Sequence, residues 1–112
     1  MIFKGIRISA RFGKAHGLLL KKKYEKSKEL LESILECGPE EYMLPLIHND
    51  LGKIEYHQGN YESAKQHLEL CINNSKEKPE FWNSPEQKQM LSNVQWYYAE
   101  CQKNITNPPT AP

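Results

Sequence analysis

Only three cysteines occur among the 112 residues, and Cys37, Cys71 and Cys101 form no CxxC pair. A secreted disulfide framework is therefore not expected, and a reducing, cytoplasmic setting fits better. No apolar stretch approaches the roughly 20 residues that span a bilayer. The longest aliphatic run is Leu18 to Leu20. Residues 1–20 carry scattered bases and no continuous apolar segment, which argues against a secretory signal, although an acid-free, Arg-bearing start is also a property of organellar presequences. The length allows one domain and excludes two independent catalytic lobes.

A strong net charge is also missing: the formal value is +1. The two ends differ all the same. Residues 1–23 contain Lys4, Arg7, Arg11, Lys14, Lys21, Lys22 and Lys23 and no acid. The other 89 residues carry eight bases and fourteen acids, so the surface is expected to be dipolar. Phe12 and His16 within the basic end could stack on bases of a nucleic acid. The near-neutral total argues against that partner, and the plainer expectation is a solvated basic helix offset by Glu25, Glu29, Glu32 and Glu36.

No constellation for catalysis is present. His16, His48 and His57 have neither HxxxH nor HExxH spacing. His67 and Cys71 stand one helical turn apart, but two ligands do not fill a tetrahedral site, and Cys71 falls in an apolar stripe where a buried thiol is expected. Gly13 to Gly17 (GKAHG) lacks the Lys-Ser/Thr ending of a phosphate-binding loop. The expectation is a chain without enzymatic activity, metal or cofactor.

What the sequence does contain is a repeat. Residues 23–35 (KYEKSKELLESIL) align with residues 60–72 (NYESAKQHLELCI) through Tyr24/Tyr61, Glu25/Glu62, Lys28/Lys65, Leu31/Leu68 and Glu32/Glu69, with Ser27/Ala64 and Ile34/Cys71 also coinciding. Apolar or small positions recur at steps of three, four and three, which makes one stripe on a helix. A helix is expected before each copy. Ile8, Phe12, Ala15 and Leu19 mark the first, and Leu44, Ile47, Leu51 and Ile54 the third. Gly59-Asn60 supplies a left-handed stop followed by a cap, Cys37-Gly38-Pro39 ends the second helix, and Pro45 begins or kinks the third. Ser84-Pro85-Glu86-Gln87 reads as a helix start, with Met90, Val94, Tyr97 and Cys101 on the buried stripe up to about Lys103. Residues 105–112, rich in proline, are expected to be a tail outside a helical domain of residues 1–104.

The series Leu51-Gly52, Gly59-x-Tyr61, Ala64, Leu68 and Cys71 resembles the tetratricopeptide repeat, a helix-turn-helix unit recurring about every 34 residues. The first unit matches in its second helix, through Tyr24, Ser27, Leu31 and Ile34, but Lys22 stands where the turn glycine belongs. The resemblance implies an all-α fold of antiparallel helical hairpins, stacked as a short α-solenoid of about two and a half repeats with a terminal capping helix. A closed all-α bundle is the rival architecture. The resemblance further implies a concave face lined by the first helix of each unit, which here would hold Phe12, His16, Asn49, Lys53, Tyr56, Gln95 and Tyr98. That face would bind a protein or peptide, as an adaptor or scaffold does. The carboxylate clamp of one subgroup does not carry over, because Asp50 would repel a carboxylate and only Lys88 matches. A dedicated immunity or chaperone protein masking a toxin or effector is a second reading, and self-association through Trp82 and Trp96 a further possibility.

Overall fold

The computed structural model describes the backbone of residues 2–107 and the side chains of residues 7–107. Among the described residues five α-helices follow one another: α1 (Ile2–Leu20), α2 (Tyr24–Glu36), α3 (Leu44–His57), α4 (Tyr61–Glu77) and α5 (Pro85–Thr106), with a short 3₁₀ turn at Glu41–Met43. No strand occurs among the described residues.

The two tight turns are built alike. After α1, the amide of Lys22 bonds to the Leu19 carbonyl at 2.9 Å and that of Lys23 to Leu18 at 2.9 Å. After α3, Gly59 bonds to Tyr56 at 3.0 Å and Asn60 to Glu55 at 2.8 Å. Both are Schellman endings, which need a left-handed residue at the same place. Gly59 supplies it with φ +81°, and Lys22 adopts φ +62° despite its side chain. Asn60 does not cap α4 through its side chain, as the sequence led us to expect. Its amide instead donates to Glu55 Oε2 at 3.0 Å, because that buried carboxylate lies within reach and needs partners. Ser84 does cap α5, accepting from the Gln87 amide at 3.3 Å. Pro45 sits in the first turn of α3 and starts that helix rather than kinking it.

The aligned positions of the repeat pack equivalently. Ser27 and Ala64, Leu31 and Leu68, and Ile34 and Cys71 are all fully buried. Each large side chain among them contributes roughly 1.5–3 kcal/mol by leaving water. Ser27 keeps its hydroxyl satisfied by donating to the Ala15 carbonyl at 2.7 Å, which ties α2 to α1. At the α3–α4 crossing, a Cβ on Gly52 would fall 2.7 Å from Leu68 Cδ2, so glycine is what lets these helices meet.

Consecutive helices pack as antiparallel hairpins, and α3 also touches α1, α2 and α5. Among the described residues, helix α1 makes no contact with α5. The architecture is thus an all-α stack rather than a bundle closed around one centre. One core cluster joins α1, α2 and α3 around Leu31, Ile34, Ile47, Leu51 and Ile54. A second joins α4 and α5 around Leu68, Cys71, Val94 and Cys101. Trp82, in the α4–α5 connection, is buried in the second cluster and donates its indole N–H to Asn74 Oδ1 at 2.8 Å. Helix α5 continues through Ile105 and Thr106, two residues that the sequence assigned to the tail; residues 108–112 lie outside the described residues.

Candidate functional site

Helices α1, α3 and α5 come together on one side of the stack through the contacts of α1 and α5 with α3. From α1, Phe12 and His16 are one turn apart, with ring centroids 6.0 Å apart and planes 20° from parallel. Phe12 is half-buried against the first core cluster. His16 Nδ1 donates to Asp50 Oδ2 at 2.8 Å, which fixes the ring across the α1–α3 gap. The two rings are therefore engaged with each other and with α3.

From α3, Asp50 is 1% exposed. Burial raises its carboxyl above the usual carboxylate range, against the opposing pull of His16 and Lys53. Lys53 is half-buried, with its Nζ 5.7 Å from the centre of the Tyr97 ring. Burial lowers its ammonium, and Asp50 works in the other direction. Asn49, one turn earlier, is 6% exposed and its Oδ1 finds no hydrogen-bond partner. Tyr56 stands edge-on to Tyr97 at 5.1 Å, to Tyr61 at 5.7 Å and to Trp96 at 6.4 Å.

From α5, Trp96 and, more closely, Tyr97 meet α3. The Tyr97 hydroxyl lies 3.4 Å from His57 Nε2, and His57 in turn stacks on Tyr24 at 5.5 Å. Beside it, Trp96 is 55% exposed. Tyr98 does not join this group: its hydroxyl donates to Glu69 Oε1 at 3.4 Å and its ring lies 5.7 Å from Lys65 Nζ, both on α4. Gln95 is exposed and, three residues before Tyr98, falls on the same flank of α5. Phe12, His16, Asn49, Lys53 and Tyr56 thus belong to the α1–α3–α5 side, whereas Tyr98 and Gln95 do not. Tyr97, Trp96 and Asp50 take their place. The buried stripe through Val94 and Cys101 held the signal for Tyr97, because a residue at the edge of such a stripe serves core and surface together.

Two further polar features lie between helices. His48 and His67 bring their Nδ1 atoms to 2.9 Å with rings 5.2 Å apart, clamping α3 to α4. Burial and the neighbouring His67 push His48 down to about 4, and burial also lowers His67. Lys28 Nζ meets Glu55 Oε1 at 2.7 Å and joins α2 to α3. Among the described residues, no three His, Cys, Asp or Glu side chains gather in a way that could hold a metal ion. The thiols of Cys71 and Cys101 are buried, and burial pushes them to about 12 and about 11. Cys37 differs from them: it is exposed at the end of α2, where Arg11 donates to its sulfur at 3.5 Å.

The expected offset of basic α1 by acidic α2 does not take the form of ion pairs. Among the described residues, no lysine or arginine of α1 and no acid of α2 belongs to a salt bridge. Glu25 instead accepts from Gln58 at 2.6 Å, on the side of α2 that faces the next hairpin. No described helix is long and apolar enough to cross a membrane. Comparison of the chain with protein-family models, with curated proteins and with solved structures gives no match.

Proposed function

We propose that this chain is a non-catalytic interaction module of tetratricopeptide type, which holds a peptide or protein segment on the face made by α1, α3 and α5. The observation that carries the reading is Lys53. Its half-buried ammonium has no carboxylate of its own, since Asp50 is engaged by His16, and it lies over Tyr97 next to the exposed ring of Trp96. A desolvated cation flanked by aromatic area and by the unpartnered oxygen of Asn49 suits an extended segment, with rings providing contact and polar atoms fixing direction. The matched turns at Lys22 and Gly59 and the places of Tyr24 and Tyr61 as first residues of α2 and α4 support the repeat assignment. The two buried, unpaired thiols support work in a reducing cytoplasm.

Affinity purification with the native chain and with a Lys53→Ala/Trp96→Ala variant tests this. Both positions lie outside the two core clusters, so the variant should keep its helicity. The expected result is loss of the bound chains recovered by the native protein. Recovery of the same chains in the same amounts by the folded variant removes this face from consideration.

A further inference from the structure

The two ends of the stack carry different surfaces. At the α5 end, every exposed residue from Gln89 to Gln102 is uncharged. Apart from Trp96 and Ala99 these residues are polar, as suits the outer side of a terminal element.

The α1–α2 end is different. Arg7, Arg11, Lys14 and Leu18 follow steps of four, three and four, which places them along one side of α1, and Lys21 follows in the turn beyond it. Phe12 and His16 lie on another side, toward α3. On α2, Lys26, Leu30, Ser33 and Cys37 follow the same kind of spacing. The contact of Arg11 with Cys37 shows that the two rows run side by side. Arg7, Lys14, Lys21 and Lys26 are exposed, and Leu18 and Leu30 between them are half-buried. No acid falls in either row, and no lysine or arginine of α1 has a salt-bridge partner among the described residues.

We propose that this edge binds an acidic amphipathic helix of a partner protein, with the partner's apolar side on Leu18 and Leu30 and its carboxylates on the flanking arginines and lysines. Glu29 and Glu36 are exposed beside the α2 row, but the rows themselves are basic, and a two-fold contact of row on row would set like charges against each other, which argues against a second copy of this chain. A phosphate backbone would gain nothing from the leucines in the middle of the patch, and no aromatic side chain stands in either row to stack on bases. A helix gains from both features. The stretch from Arg7 to Lys21 is about 21 Å long, enough for about four turns of a docked helix. This surface is separate from the α1–α3–α5 face and does not depend on the function proposed for that face.

A labelled synthetic peptide of three heptads, with leucine at the first and fourth positions and glutamate at the flanking ones, is a suitable probe by fluorescence anisotropy. Saturable binding is expected, weakening about tenfold as salt rises from about 50 to about 300 mM. An Arg7→Glu/Lys14→Glu variant should lose about tenfold in affinity with an unchanged circular dichroism spectrum, and Lys53→Ala/Trp96→Ala should bind like the native chain. A peptide of the same composition, scrambled to abolish its apolar stripe, should bind several-fold more weakly. Equal binding of the scrambled peptide, indifference to the charge reversal, or sensitivity to Lys53→Ala/Trp96→Ala overturns the proposal. Tighter binding of duplex DNA than of the acidic helix also overturns it, and assigns the edge to phosphate.

Discussion

His16 Nδ1 donates to Asp50 Oδ2 across 2.8 Å, so a carboxylate with almost no solvent contact is held by an imidazole from the neighbouring hairpin. Because burial raises the Asp50 carboxyl in the folded chain, its ionised form opposes folding at neutral pH. That cost disappears as pH falls through the raised value toward the unfolded one near 3.9. Asp50→Asn keeps an oxygen acceptor for His16 and removes the charge. Its thermal midpoint at pH 7 should exceed that of the native chain, and the gap should narrow on acidification. A lower midpoint at pH 7 contradicts this account.

The Lys28–Glu55 pair has the opposite pH behaviour. Burial works against ionisation of Glu55, but the Lys28 ammonium and the Asn60 amide outweigh it and hold the carboxyl below its usual range. The stability it supplies is complete above the ordinary glutamate range and fades as pH falls through the depressed value. The hydrogen bond to Glu55 likewise raises Lys28, so its share persists through neutral pH and fades only in strong alkali. Lys28→Met strands a buried carboxylate and should cost about 2–3 kcal/mol, less than a fully buried pair would, since Lys28 remains partly in water. Lys28→Met/Glu55→Leu should recover most of this in urea unfolding, and a double variant no better than the single one would refute the pairing argument.

Lys22 and Gly59 occupy the same left-handed position in two like turns. A side chain there costs roughly 1–2 kcal/mol, partly offset by the extra freedom of glycine in the unfolded chain. Lys22→Gly is therefore expected to stabilise by about 0.5–1 kcal/mol, and Gly59→Lys to destabilise by about as much. Chemical denaturation of both variants checks the sign. Changes in the same direction would show that the turns are not equivalent.

Thiol chemistry should separate the three cysteines. Only Cys37 is exposed, while burial keeps Cys71 and Cys101 as neutral thiols. An aromatic disulfide reagent should titrate a single thiol in the native chain and all three after denaturation. Rapid reaction of two or more native thiols would show that the second core cluster opens readily.

Much of this was visible in the linear chain where the signal is short-ranged. The Tyr24/Tyr61 alignment located two equivalent helices, and Ser84-Pro85 located the start of α5, because periodicity and capping involve residues within a few positions of one another. The end of α5 was placed too early: Ile105 carries no local stop, and the helix runs on to Thr106, with the Asn104 and Thr106 side chains donating to carbonyls one turn back. Asn60 was assigned a cap because nothing in its neighbours announces that the Glu55 carboxylate is buried and in need of a donor.

By itself the sequence determined the helices, the left-handed turn at Gly59 and the repeat of buried positions, since these follow from hydrogen bonds and side-chain spacing along one strand of chain. Only the tertiary structure decided that Tyr97 and not Tyr98 meets α3, that His16 reaches Asp50, and that Glu25 pairs with Gln58 and not with a base of α1. Neighbouring residues on a helix differ by about 100° around its axis. That angle is fixed locally, but which helix lies in which direction is fixed by how three or more helices pack at once.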